Sequence, residues 1–197
     1  MLRNRVSKRN CIFICLSTLA LLVPTVAFTP RSARGDGGEP FKGTITVQAE
    51  LLTTISTCAP GDANCSACLN SSGVYVEAQG IGETTLGPLF FEVLKCFNPA
   101  GGSFGTYAGT FTMTSPNGKD SIAGTYSGQN DNAGDAYGFG PFSGKWTVTG
   151  GTGKFNRTQG SASFTAVAGP FTAGLSPSTF VLMAFYSFQG QLALADN

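Results

Sequence analysis

Histidine is absent from this 197-residue chain. That excludes Ser-His-Asp triads, Cys-His pairs and His-ligated zinc or copper. Proton transfer would therefore fall to carboxylates, tyrosines or lysines. Glu92, in "GPLFFEVLKCF", shares a strand face with Phe90 and Leu94. A carboxyl held among apolar side chains is tuned toward acid–base work, which makes Glu92 the first catalytic candidate. Tyr186, between Ala184 and Phe188 on another strand face, is its expected partner across a cavity. Against this stands a plainer reading, in which Glu92 lies on the outer surface or pairs with a lysine. Tyr75, Glu77, Tyr107 and Tyr126 are weaker candidates of the same kind.

Four cysteines lie beyond the N-terminal segment: Cys58, Cys65, Cys68 and Cys96. In an exported chain they read as disulfides. If "GVYVEAQG" and "LFFEVLKCF" form a hairpin, Cys96 lies across from about residue 72 and close to Cys68. The favoured pairing is Cys68–Cys96 with Cys58–Cys65, and Cys65–Cys96 with Cys58–Cys68 is nearly as good. A four-cysteine zinc site fits an exported chain poorly, so no metal and no cofactor are expected.

The run "WTVTGGTGKFNRTQG" suggests a phosphate loop at first sight. A Walker loop requires G-x-x-x-x-G-K-[ST], but Val148 stands at the first glycine and Phe155 follows Lys154. The dinucleotide form fails at Asn156, and "SASFTAV" alternates like a strand, so no helix N-terminus is present to favour a phosphate. The glycines instead let the chain leave a strand in conformations closed to other residues. Phe155 is then expected to turn inward and plug one end of a barrel.

The chain opens with Arg3, Arg5, Lys8 and Arg9 before the apolar run "CIFICLSTLALLV". This is the pattern of a secretory leader, expected over residues 1–35 with cleavage after Ala27 or Gly35. The run is short for a spanning helix, which needs about 20 residues. Six of the 12 basic residues fall in this leader and all 11 acidic ones follow it. The mature part is net negative, so nucleic acid and anionic membrane surfaces are not expected partners.

Residues 36–197 read as one domain with a Cys-rich insertion at 57–72. Period-two alternation recurs in eight segments with almost no helical pattern. "GTITVQAELL" places Ile45, Val47, Ala49 and Leu51 on one face and Thr44, Thr46, Gln48 and Glu50 on the other. Asn117-Gly118 signals a tight hairpin, because both residues tolerate positive φ. Successive antiparallel strands with short links predict an eight-stranded up-and-down barrel, which has no free edge. Both faces of "TFVLMAFYSF" and "LGPLFFEVL" are apolar, which predicts cover from another subunit or another part of the chain.

Three motifs in order, "GTFTMT" at 109–114, "GTYSG" at 124–128 and "WTVTGGTGKF" at 146–155, resemble the barrel family of plant dirigent proteins and allene oxide cyclases. They are more similar still to a group of secreted bacterial proteins with that barrel. The resemblance implies an all-β, eight-stranded antiparallel barrel, often trimeric, with an apolar central cavity. Trp146, Phe155 and Phe90 are expected to line it. The function so indicated is a secreted barrel that binds a small apolar molecule. The alternatives are an allene oxide cyclase-like isomerase using Glu92, and a structural or surface-interaction homo-oligomer.

Overall fold

The computed structural model describes residues 38–53, 55–101, 104–130, 140–173 and 179–194. The expected leader and both expected cleavage points lie outside these residues. The strands are β1 (Glu39–Thr53), β2 (Val74–Thr84), β3 (Gly87–Gly101), β4 (Phe104–Thr114), β5 (Ser121–Asn130), β6 (Gly140–Thr152), β7 (Gln159–Ala173) and β8 (Thr179–Ala193). Each pairs antiparallel with its sequence neighbours, and β1 pairs with β8, closing an eight-stranded barrel. Closure leaves no strand edge unpaired.

Eight strands make a lumen that side chains can fill. Here they do. Phe91, Phe111, Trp146, Phe164, Tyr186 and Phe188 are all buried inside. The Trp146 ring is the hub, with ring centroids 4.9 Å from Phe188, 5.2 Å from Phe164 and 5.6 Å from Phe91. Such tilted and offset contacts suit the quadrupoles of the rings. The narrow lumen accepts them because some inward positions are glycine: a Cβ on Gly144 would meet the Phe164 ring at 2.4 Å.

The glycine-rich run closes one end. After β6 the chain makes a single 3-10 turn, Gly153–Phe155, and Phe155 is buried with Leu89, Ile122 and Leu192. Gly153 has φ +57°, a region that a side chain resists. The turn is pinned to the β4–β5 connection. Asp120 Oδ1 accepts from the Lys154 N–H at 3.0 Å, and Thr152 Oγ1 donates to the Lys119 carbonyl at 2.8 Å. The Asn117 side-chain amide, donating to Asp120 Oδ2 at 2.9 Å, and then the Lys154 N–H hold the Asp120 carboxyl below its ordinary pKa.

The hairpin expected at Asn117-Gly118 joins β4 to β5, with the Gly118 N–H donating to the Ser115 carbonyl at 2.9 Å, but only one of the two residues takes positive φ. Gly118 has φ +70° and Asn117 does not have positive φ. Asn117 Oδ1 instead accepts from the Lys119 N–H (2.8 Å) and the Ser115 hydroxyl (2.7 Å), closing a wider loop around its side chain.

β1 also departs from simple alternation. Its register against β2 slips between Val47 and Ala49, and against β8 between Val47 and Glu50. This bulge inverts the strand. Phe41, Ile45 and Val47 face in before it, and Glu50 is buried after it, while Leu51 is exposed. The expected pattern of Leu51 in and Glu50 out is thus reversed, because one extra residue moves every later side chain to the other face.

The Cys-rich insertion carries one helix, α1 (Ala63–Asn70), capped by Asp62, whose Oδ1 accepts from the Cys65 N–H at 2.8 Å. Disulfides join Cys58 to Cys65 and Cys68 to Cys96, the pairing favoured above. The hairpin register differs from expectation: Cys96 faces Tyr75, not residue 72. The bridge still forms because α1 lies over the outer face of β2 and β3. Cys65, Cys68, Tyr75 and Cys96 make a second small core there, with Leu94 against it. Part of the outer apolar face is thus covered by the chain itself.

Removing the stopper tests this description. Phe155→Ala should lower stability by about 3–5 kcal/mol in urea unfolding, as for other buried phenylalanines. A loss under about 1 kcal/mol would mean that the ring does not fill the closed end.

Candidate functional site

β3 places Leu89, Phe91, Val93 and Lys95 inward, and all four are buried. Glu92 and Phe90 therefore face outward, and both are exposed, Phe90 to 53%. Among the described residues Glu92 accepts a hydrogen bond from the Gln79 amide, at 3.5 Å. Tyr186 is buried in the lumen. The expected pair lies on opposite sides of the barrel wall and forms no acid–base site. Phe90 is likewise not a lining residue. The strand is apolar on both faces, so alternation alone did not reveal which face was inside. Trp146 is fully buried in the lumen and Phe155 seals its end.

A different carboxylate occupies the interior. Lys95 is fully buried, and its Nζ lies 2.5 Å from Glu50 Oε1, also buried. The two side chains come from β3 and β1, and β2 lies between. The ammonium also stands over three rings: Tyr107 at 4.6 Å, Tyr126 at 5.1 Å and Phe142 at 5.3 Å from their centroids. Negative ring faces stabilise a desolvated cation. Gly109, beside Lys95 in the ladder, keeps the site open to the lysine backbone: a Cβ there would lie 2.5 Å from Lys95 Cα.

Around the pair, hydrogen-bonding capacity exceeds supply. Glu50 Oε2 and Trp146 Nε1 are buried with no hydrogen-bond partner, and the buried Tyr126 and Tyr186 hydroxyls have no partner but each other. Lys95 Nζ makes no hydrogen bond of good geometry beyond its ion pair. Buried polar atoms are nearly always paired, so a carboxylate oxygen left without a hydrogen bond beside a buried ammonium marks an unusual site. Half-buried Tyr107 and Leu52 border the cluster towards the barrel end that carries the insertion, opposite the Phe155 plug.

The tyrosines register the same environment. Burial pushes the Tyr107 phenol well above its ordinary pKa, and the Glu50 carboxylate adds to this. For Tyr126 the causes are burial and then Glu50; for Tyr186 they are burial, then Tyr126, then Glu50. All three stay neutral hydroxyls at physiological pH. Each can donate or accept one bond, but none serves as a base there.

The sequence reading missed both charged residues. Lys95 shares its strand face with Leu89, Phe91 and Val93, a signal present in the sequence but masked by the equally apolar opposite face. Glu50 is brought inside by the bulge, for which the local residues give no sign. All four described thiols are used in disulfides, which removes the four-cysteine zinc alternative.

No known family profile and no curated protein matches the chain. Among solved structures it is similar to the pterocarpan synthase dirigent protein GePTS1. The identity is 12%, over 81% of this chain and 90% of that one, with a TM-score of 0.33. The barrel itself is fixed by its strand pairing.

The raised phenols set an alkaline limit. In the folded protein they hold their protons to higher pH than in the unfolded chain, where tyrosine titrates near ~10. Their contribution to stability is complete below about pH 10 and is lost as pH rises towards the folded values. Absorbance at 295 nm should show Tyr107, Tyr126 and Tyr186 ionising only as near-UV circular dichroism collapses. Smooth titration of all five tyrosines near pH 10 with the fold intact would place them in water.

Proposed function

We propose that this chain is an exported, non-catalytic binding barrel that takes a small, mainly apolar molecule at the insertion end of its lumen. The observation that carries this reading is the polar cluster buried among aromatic rings: the Glu50–Lys95 pair beside the Tyr126 and Tyr186 hydroxyls, with Glu50 Oε2 left without a hydrogen bond. Each unsatisfied polar group costs about 1–3 kcal/mol, and a scaffold core would place apolar residues there. Such departures from good packing are typical of sites kept for binding. Two disulfides fit the oxidising compartment to which the N-terminal pattern would direct the chain. The cyclase reading loses its acid, since Glu92 faces outward.

A second observation supports self-association. Ile81 and Phe90 are paired neighbours on the outer face of β2–β3, and Val167 and Phe185 on that of β7–β8, with Met183 on the same face of β8. All five are exposed. A contiguous apolar surface of this kind favours burial against another copy, and a trimer is the assembly in view.

One experiment reads both. Native mass spectrometry of freshly purified protein should show an oligomer, with a small-molecule adduct that the Lys95→Met/Glu50→Leu double variant no longer retains. A bare protein that also shows no thermal shift with a panel of lipophilic compounds would contradict ligand binding. A monomer at micromolar concentration would contradict assembly.

A further inference from the structure

The outer wall of the barrel carries its apolar side chains in one cross-strand row. Phe90, Ile81, Thr46, Phe185, Val167 and Pro141 are each paired with the next, from β3 through β2, β1, β8 and β7 to β6. The two ends of this row differ in charge. Around Ile81 and Phe90, β2 and β3 expose Glu77, Glu83 and Glu92, while their one lysine, Lys95, points inward. At the other end the sequences of β6, β7 and β8 hold no acidic residue, and their one charged side chain, Lys145, is exposed. Lys42 of β1 lies level with Lys145, joined to it through Gln189 and Ser163. It also borders Glu83 at the β1–β2 seam, so Lys145 is the cation that belongs to this face alone.

The ends differ in shape as well. Phe90 is the most exposed large apolar side chain among the described residues, at 53%. Val167, Phe185 and Pro141 instead border an open groove of about 680 Å³, with Thr44, Ser143 and Ser187 along its side. Two copies meeting through the same face would be mismatched. The acidic face against itself sets carboxylate against carboxylate, and the basic face against itself sets lysine against lysine across two hollows. The acidic face of one copy against the basic face of the next opposes unlike charges and gives the Phe90 ring a groove to enter. An interface between unlike surfaces leaves each copy one free face of each kind, so it propagates head to tail into a ring or a filament.

We propose that the β2–β3 face of one copy docks into the β6–β8 groove of the next. This rests on the self-association reading above and adds which surface meets which.

Two variants of exposed wall residues test it, Phe90→Lys and Phe185→Asp, with mass read by light scattering and folding by circular dichroism. Each has one spoiled face and one intact face, so each alone should be a monomer where wild-type protein is assembled. Mixed in equal amounts, they should form a complex of two copies and nothing larger. In it the Phe185→Asp copy offers its intact β2–β3 face to the intact groove of the Phe90→Lys copy. High protein concentration is needed, since a lone contact lacks the avidity of a closed ring. Adding Lys145→Glu to the Phe90→Lys copy should raise the dissociation constant of this pair about fivefold, as expected for an exposed ion pair. A constant that stays the same or falls would overturn the charge matching. A mixture that stays monomeric or grows beyond two copies, or a single variant that dimerises alone, would overturn head-to-tail docking while self-association stands. A monomeric wild-type protein would overturn both.

Discussion

A lysine and a glutamate removed from water inside an oily barrel govern the rest of this molecule. Taking both charges out of water costs several kcal/mol per ion, and their attraction repays this only with good geometry. The fold provides that geometry from three directions. The β1 bulge turns Glu50 inward, β3 delivers Lys95 to meet it, and three rings from β4, β5 and β6 surround the ammonium. What remains unsatisfied is Glu50 Oε2.

The two ends of the barrel divide the work. At one, Phe155 and the Asp120 latch make a sealed and well-packed stopper. At the other lie the polar cluster and the half-buried Tyr107, next to the disulfide-bonded insertion on the outer wall of β2 and β3. Trp146 joins the two halves. Its ring packs on Phe111 and Phe188, and Tyr186 lies 6.0 Å away on the polar side. A change at the polar end is therefore felt by the one indole in the chain.

Much of the architecture was legible in the sequence because period-two alternation is read directly from residue types. The eight strands follow from it. The glycine run was legible as a plug because no helix follows it. Two things were not. A strand apolar on both faces does not declare its inner side, so Glu92 and Phe90 were expected inside when Lys95 was there instead. A bulge leaves no local mark, so Glu50 was expected outside. The covering of Cys96 and Tyr75 by α1 depends on a tertiary contact that alternation cannot encode.

The buried pair is tested most directly by a double-mutant cycle on Glu50 and Lys95, with stability read by urea unfolding. Glu50→Leu and Lys95→Met should each lose about 3–5 kcal/mol, since each strands a buried charge, and the double variant should return to wild-type stability or exceed it. Two single variants that each cost less than about 1 kcal/mol, with additive effects in the double, would show a solvated pair and contradict the account.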